Sequence, residues 1–407
     1  MEQFTFSSKL KRTTFILMGV GLIALVLGIA NIFGSSDEHH HHLAVARLWS
    51  NVLINGFFFF GIALAATFFM AVQYVAEAGW AVVIKRILEA LGAFMPVGAF
   101  FLILVFAAGT FHFHHLYHWM DPAVTDPESP LFDSIIAGKS GYLNLPFFWV
   151  RAILFLGVWI WFWKRFRTKS LEEDLGFDRK RHFANVRDAA IFLVFFGYSS
   201  SAASWDWIMS IDTHWYSTLF GWYTFSGIWL TGMVVTTLLA LYLKKNGFLP
   251  QLNASHIHDL GKWVFGVSFL WAYLFFSQFM LIWYANIPEE VTYFIPRIED
   301  YTYIYWGMFL VNFLFPMIAL MDRDHKRNYG FLITIGIIVL IGHWLDTYMM
   351  IIPGTMQEHG TIGFIEIGLA LGFLGLFSYV VLNALTKAPL VAKNHPFYQE
   401  SIHHEIH

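Results

Sequence analysis

Ten long apolar stretches separated by polar connections run through the chain, and they leave it no fold that keeps those stretches in water. A helix needs roughly 20 mostly apolar residues to cross a bilayer. Segments of that kind fall at about 14–33, 49–73, 87–111, 146–163, 189–209, 219–243, 262–285, 301–320, 330–352 and 362–385. They are too long for membrane strands, and their apolarity does not alternate, which argues against a barrel. Composition agrees: 57% of the 407 residues are hydrophobic and 13% are charged, against roughly 25% charged in an ordinary soluble domain. This excludes a soluble enzyme, a nucleic-acid binder and a disordered chain. The first stretch reads as a retained span, because no small-residue cleavage site follows it. The expected fold is therefore an all-α polytopic membrane protein with ten transmembrane helices, forming a single integral membrane domain over 1–407.

Basic residues set the orientation, because cytoplasmic loops collect Lys and Arg. Call the N-terminal side A. It holds Lys9, Lys11 and Arg12; Lys85 and Arg86; the eight basic residues of 164–187; Lys244, Lys245 and Lys262; Arg323, Lys326 and Arg327; and Lys387 and Lys393. Only Arg47, Lys139, Arg151 and Arg297 fall to side B. The split alternates through all ten segments, so both termini are expected in the cytoplasm and the long 112–145 loop outside.

The fifth and ninth segments resemble each other. The fifth is entered by Asp178-Arg179-Lys180-Arg181-His182 and leaves through Trp205-Asp206-Trp207; the ninth is entered by Asp322-Arg323-Asp324-His325-Lys326-Arg327 and leaves through Trp344-Leu345-Asp346. Four helices separate the two positions. This suggests two four-helix bundles of the same sense, at about 49–209 and 219–352, flanked by 14–33 and 362–385. Basic entries and aromatic exits are also common in unrelated membrane helices.

An ionisable side chain at the bilayer centre costs at least about 2.5–3.5 kcal/mol on insertion scales, so each one there is a candidate for function. Asp188, Ser199 and Asp206 share one face of the fifth segment. His343 and Asp346 lie three apart in the ninth, and such a pair can hold a proton near neutral pH. Tyr273, Ser277 and Tyr284 form a stripe on the seventh with Gln278 adjacent, and Asn51, Asn55 and Gln73 form one on the second. Glu89 lies toward side A and Glu366 toward side B. Together Asp206, His343, Asp346, Glu89, Asp188, Tyr273, Ser277, Gln278 and Glu366 are proton-path candidates. The competing reading for each is a structural contact between helices or a group reaching the headgroups.

Side B is rich in His: His39 to His42, then His112, His114, His115 and His118. A solvated loop explains these better than a metal site, so no metal is expected. His403, His404 and His407 read as a tail. Cys is absent, so the chain has no thiolate for an iron–sulfur cluster, a Cys zinc site or a disulfide. Haem b would need opposed deep His pairs, and only His343 lies deep. No cofactor is expected in this chain, and no residue is expected to be catalytic.

Three motifs carry a family resemblance: Ser204-Trp205-Asp206-Trp207-Ile208-Met209, Phe276-Ser277-Gln278-Phe279-Met280-Leu281-Ile282-Trp283-Tyr284, and Gly342-His343-Trp344-Leu345-Asp346. Over nearly the whole chain the sequence resembles the smaller NrfD-like (ActF-type) membrane subunit of bacterial alternative complex III, a quinol:electron-acceptor oxidoreductase. The resemblance implies two four-helix bundles with two peripheral helices, in a bacterial inner membrane. It implies a role in the respiratory chain that scaffolds the complex and conducts protons. The implied partners are a larger NrfD-like quinol-binding subunit, an iron–sulfur subunit and multihaem cytochrome c subunits, with a terminal oxidase and lipids as further candidates. Haem c and iron–sulfur clusters would sit in those partners, and menaquinol or ubiquinol would be the substrate of the complex. The alternative is a quinone-binding NrfD-type subunit, with His343 and Asp346 at the quinone. A secondary transporter fits less well, since the suspected repeat is parallel rather than inverted.

Overall fold

The polar connections carry the residues that start helices, and the computed structural model places a helix after nearly every one. It describes residues 3–34, 37–176 and 178–405. Ten long helices run through these residues: α1 Ser8–Gly34, α2 Glu38–Val75, α3 Gly79–Thr110, α4 Leu145–Glu173, α5 Arg179–Trp207, α6 Leu219–Lys245, α7 Ala254–Ala285, α8 Thr302–Ala319, α9 Tyr329–Met356 and α10 Phe364–Leu385. Asn144, Asp178, Asn253 and Asn328 each cap the helix that follows, their side chains accepting from a backbone N–H of its first turn. The described residues form no strand beyond one isolated bridge between Gln3 and Pro389.

Nine of these helices, among the described residues, are long and apolar enough to cross a bilayer, which makes this a multi-pass all-helical membrane protein. The exception is α5. It has 29 residues, but it carries four basic residues, two aspartates and a run of serines, which lower its apolarity. Several helices outrun their apolar stretches. His39 to His42, expected in a loop, form the first turns of α2, and α7 starts at Ala254 rather than near 262.

Helix α2 is the centre of the molecule. Residues 50–67 are buried without exception, and α2 packs on α1, α3, α5, α6, α9 and α10. Around it α3 packs on α4 and α4 on α5, which returns to α2; beyond it α6, α7, α8 and α9 pack in sequence, and α9 returns to α6. Helices α1 and α10 lie against each other through small residues. A Cβ on Gly372 would fall 2.6 Å from the Gly21 Cα, so the two backbones touch as small-residue membrane interfaces do.

The chain after α10 is not a free tail. Residues 386–405 cross the side-A helix ends: the Asn394 amide donates to the Asp174 carbonyl (2.9 Å), Ser401 Oγ donates to the Trp80 carbonyl (3.0 Å), and His404 Nε2 lies 2.6 Å from Asp259. His407, the third His of the expected tail, lies outside the described residues. His395 is buried beside Lys85, Arg86 and His182. Burial first, then those positive neighbours, push it down to about 2. Its Nδ1 accepts the Phe397 N–H (3.3 Å), which only an unprotonated ring nitrogen can do.

Two predictions follow from this packing. Gly372→Val should destabilise the α1–α10 pair by about 1–3 kcal/mol, the usual cost of overpacking, read as a lower unfolding midpoint in detergent. Because His395 is held neutral in place and regains an ordinary affinity for protons when released, docking of the C-terminal segment is at full strength above the ordinary His pKa. It weakens as pH falls below that value. Limited proteolysis at pH 5 should therefore cut 386–405 faster than at pH 7.5, and His395→Asn should flatten the difference.

Candidate functional site

Burying a carboxylate in a membrane protein demands a partner, and the buried acids here show how that demand is met. Seven are buried among the described residues: Glu89, Glu173, Asp188, Asp206, Asp259, Asp346 and Glu366. Six pair with Arg or Lys. Asp206 is held by Arg151 of α4 through two bonds, Nε–Oδ2 at 2.6 Å and Nη2–Oδ1 at 3.0 Å. Asp188 meets Arg165, Lys169 (2.6 Å) and Arg187. Glu366 takes both arms of Arg47 at 2.7 Å and the Asn51 amide at 3.1 Å, while accepting the Gly363 N–H that opens α10. Glu173 pairs with Lys85 at 3.0 Å and Asp259 with Lys262 at 2.7 Å.

Glu89 sits in the densest network. It meets Arg86 (2.8 Å) and Arg167, and it accepts from Ser170 Oγ (2.5 Å). Arg86 also reaches Asp174 at 2.5 Å. Glu89 toward side A and Glu366 toward side B are both only 1% exposed and lock helices together.

Asp346 is the exception. No Lys or Arg reaches it. Its Oδ1 accepts the Tyr223 hydroxyl, its Oδ2 accepts Trp271 Nε1 at 3.0 Å, and His343 Nδ1 lies 3.4 Å from Oδ2. His343 is 2% exposed, and neither ring nitrogen has a hydrogen-bond partner. Trp271 closes over the imidazole edge-on, with ring centroids 5.0 Å apart. A cavity of about 10 Å³ borders His343, Asp346, Thr224 and Thr231, which is close to the room one water needs. A second, of about 20 Å³, lies on the far side of Tyr223. The pair can share one proton and pass it to a neighbouring water or hydroxyl, and neither space admits a quinone ring.

The sequence candidates thus divide. His343 and Asp346 come together as expected. Asp188, Ser199 and Asp206 share a face, but it is the face packed on α4, where Ser199 Oγ accepts Trp159 Nε1 at 3.0 Å. Asp206 lies in a different network from His343 and Asp346. Gln278 is buried with its Oε1 unpartnered. Tyr273 is 61% exposed and Ser277 half-buried, so the expected polar middle keeps Gln278 and loses Tyr273 to the outer surface.

Sequence reasoning missed three things. Arg151 served only as a topology marker, although it lies on the helix immediately before that of Asp206 and holds it through two bonds. Tyr223 gave no signal on its own. Asn312 is fully buried with both side-chain atoms unpartnered, in a π-turn of α8 at Leu310–Leu314. Pro316 was the clue, because it has no N–H to give the Asn312 carbonyl four residues back. Asn312 lies so close to Gly342 that a Cβ there would fall 2.1 Å from its Oδ1.

On the face formed by the 112–145 loop, a cavity of about 400 Å³ is lined by His118, Asp121, Asp133, Asp212 and His214, among others. Asp133 and His214 pair at 2.6 Å. That hydrogen bond, with N–H bonds from Ile136 and Ile135, holds the Asp133 carboxyl below the usual carboxylate range. His114 Nε2 donates to the Val105 carbonyl (2.9 Å), and burial pushes the ring down to about 4. Among the described residues no three His, Asp or Glu side chains converge as metal ligands would.

No family model matches the sequence, and no curated protein matches it.

The contrast between the two aspartates predicts different costs. Asp206→Ala leaves the Arg151 guanidinium buried alone and should destabilise the protein by about 3–5 kcal/mol, while the double variant Arg151→Met/Asp206→Leu should recover most of that loss. Thermal unfolding of the purified protein in detergent reads both.

Proposed function

We propose that this chain is an integral membrane subunit of a quinol-oxidising respiratory complex of the alternative complex III type, one that scaffolds the assembly and conducts protons. In this reading the ten helices all span the bacterial inner membrane with both termini in the cytoplasm. Helices α2–α5 and α6–α9 form two four-helix bundles, and α1 and α10 flank them. The cyclic packing of each set supports the bundles, and the buried ion pairs of α5 explain how so polar a helix can cross: its charges face α4, not lipid. The three motif segments that suggested the family include His343, Asp346, Asp206 and Gln278.

The observation that carries the proton role is the one buried carboxylate, among the described residues, that no Lys or Arg reaches. Asp346 has hydroxyl and indole donors, an imidazole beside it and room for a water, which is what a site that gains and loses one proton requires. Electrons would run through clusters and haems on partner subunits, and quinol would be oxidised at the larger NrfD-like partner.

The test is Asp346→Asn in the purified assembly. Quinol oxidation in detergent should stay within about twofold of wild type, while proton movement coupled to it in vesicles falls at least about fivefold, equivalent to about 1 kcal/mol. Loss of quinol oxidation in detergent with all redox centres present would instead assign the pair to a quinone site. Wild-type values of both rates would leave His343 and Asp346 as contacts between helices. Reporter fusions after Lys9 and within 123–130 should report opposite sides of the membrane, as the ten-span topology requires.

A further inference from the structure

We propose that protons leave the His343–Asp346 pair through an outlet lined by Tyr223, Gln278 and Tyr305, and that the Arg297–Asp212 ion pair is the gate at its outer end. This rests on the proton role proposed above and names the route and the residue that controls it.

The route begins at Asp346 Oδ1, which accepts the Tyr223 hydroxyl. The cavity beyond Tyr223 is also lined by Gln278, Tyr305 and Arg297. Gln278 Oε1 and the Tyr305 hydroxyl have no protein partner, although both are buried. A buried polar atom left unpaired costs about 1–3 kcal/mol, and the space of about 20 Å³, in which Gln278, Tyr305, Tyr223 and Arg297 converge between Phe and Met side chains, can hold a water that satisfies both. Tyrosine, water and glutamine then give a continuous hydrogen-bonded line from the carboxylate to the foot of Arg297.

Arg297 closes that line. It is 2% exposed, and its guanidinium lies 3.4 Å from the centre of the Tyr293 ring. It donates to the carbonyls of Met349 (3.0 Å), Met350 (3.2 Å) and Tyr293 (2.6 Å). Its one carboxylate partner is Asp212, at 3.0 Å. Asp212 faces two ways: toward Arg297 on the inside and into the 400 Å³ cavity on the outside. A fixed positive charge at the neck of a narrow water line repels an excess proton, as an arginine does in proton-excluding pores. A proton arriving from within neutralises Asp212, weakens its hold on Arg297, and is then given up to water in the outer cavity. Only a proton moves in this step; no electron is transferred and no bond other than O–H is made or broken.

The first set of helices shows what the gate avoids. There Arg151 sits directly on Asp206 with both arms, and that carboxylate is committed. In the second set the arginine is bound to backbone carbonyls at the end of α9 and to Asp212, which leaves Asp346 unpaired.

The test uses the purified assembly in vesicles. Asp212→Asn should lower coupled proton movement at least about fivefold with quinol oxidation in detergent unchanged, and Asp212→Glu should restore most of it. Arg297→Lys, which keeps the charge but cannot span the same carbonyls, should raise the passive proton leak in the absence of turnover severalfold. An arm that leaves the gate intact uses the absence of Cys from the chain. His214→Cys lies at the mouth of the outer cavity with a 58% exposed side chain, and an impermeant bulky thiol reagent added on the 112–145 side should block coupling in that variant but not in wild type. Normal coupling in Asp212→Asn and in labelled His214→Cys, with Asp346→Asn uncoupled, overturns the outlet and leaves the proton role standing. Normal coupling in Asp346→Asn overturns both.

Discussion

A charge in the low-dielectric middle of a membrane protein must be neutralised by a partner or carry a role that repays its cost, and this chain is organised by that demand. Helix α4 is the main supplier of cations. Arg151, Arg165, Arg167 and Lys169 all sit on it, and they meet Asp206, Asp188 and Glu89 on the neighbouring helices. Arg47 does the same between α2 and α10. These pairs set register as well as charge, because a bidentate fork fits in one orientation only. A helix as polar as α5 can therefore be buried among apolar neighbours, with its aspartates and Ser199 turned to α4 and residues such as Val194 and Tyr198 facing outward.

Against that background the two aspartates that looked equivalent in the sequence take opposite parts. Asp206 directly follows Trp205 at the end of the fifth helix, and Asp346 lies two residues after Trp344 in the second half of the ninth. Asp206 meets an arginine from the preceding helix. The helix before α9 contributes none at that depth: it carries a π-turn, a proline and Asn312 instead, and the nearest arginine, Arg297, is held in the approach to α8. The displacement of one cation leaves Asp346 held by a hydroxyl and an indole donor where Asp206 is held by a guanidinium.

Much of the fold was legible in the sequence, and the reason is the bilayer itself. Runs of about 20 apolar residues mark helices whatever they pack against, so the nine helices long and apolar enough to cross a bilayer, among the described residues, each fall on an expected segment. The His343–Asp346 pair was equally visible, since spacing of three puts two residues on one helical face. What was hidden depends on which faces meet. The side-chain period of α7 puts Tyr273 and Ser277 on one stripe but says nothing about whether that stripe faces Gln278's interior or the outer surface. Arg151 and Arg297 were counted as loop charges because a topology rule uses sign and position only, and the partner that buries each lies 55 and 85 residues away. The C-terminal segment was read as a tail because it is short and His-rich; its contacts with Asp174, Trp80 and Asp259 come from three different parts of the chain.

The sizes of the internal spaces bear on the proton role proposed for the second set of helices. The spaces next to Asp346 are of about 10 and 20 Å³, while the one outside Arg297 is of about 400 Å³. A hydrated ion or a small organic molecule fits only the last. A proton needs no volume of its own beyond the waters and hydroxyls that relay it, so a narrow line opening into a wide polar cavity selects it by size before any charge acts. In the proposed outlet Arg297 then adds the sign: a cation at the neck repels an excess proton, and Asp212 beside it is the carboxylate through which one passes. An open water column would relay protons both ways as readily and would short the membrane. In the proposed outlet the guanidinium clamped by three backbone carbonyls is the barrier that keeps the line from leaking.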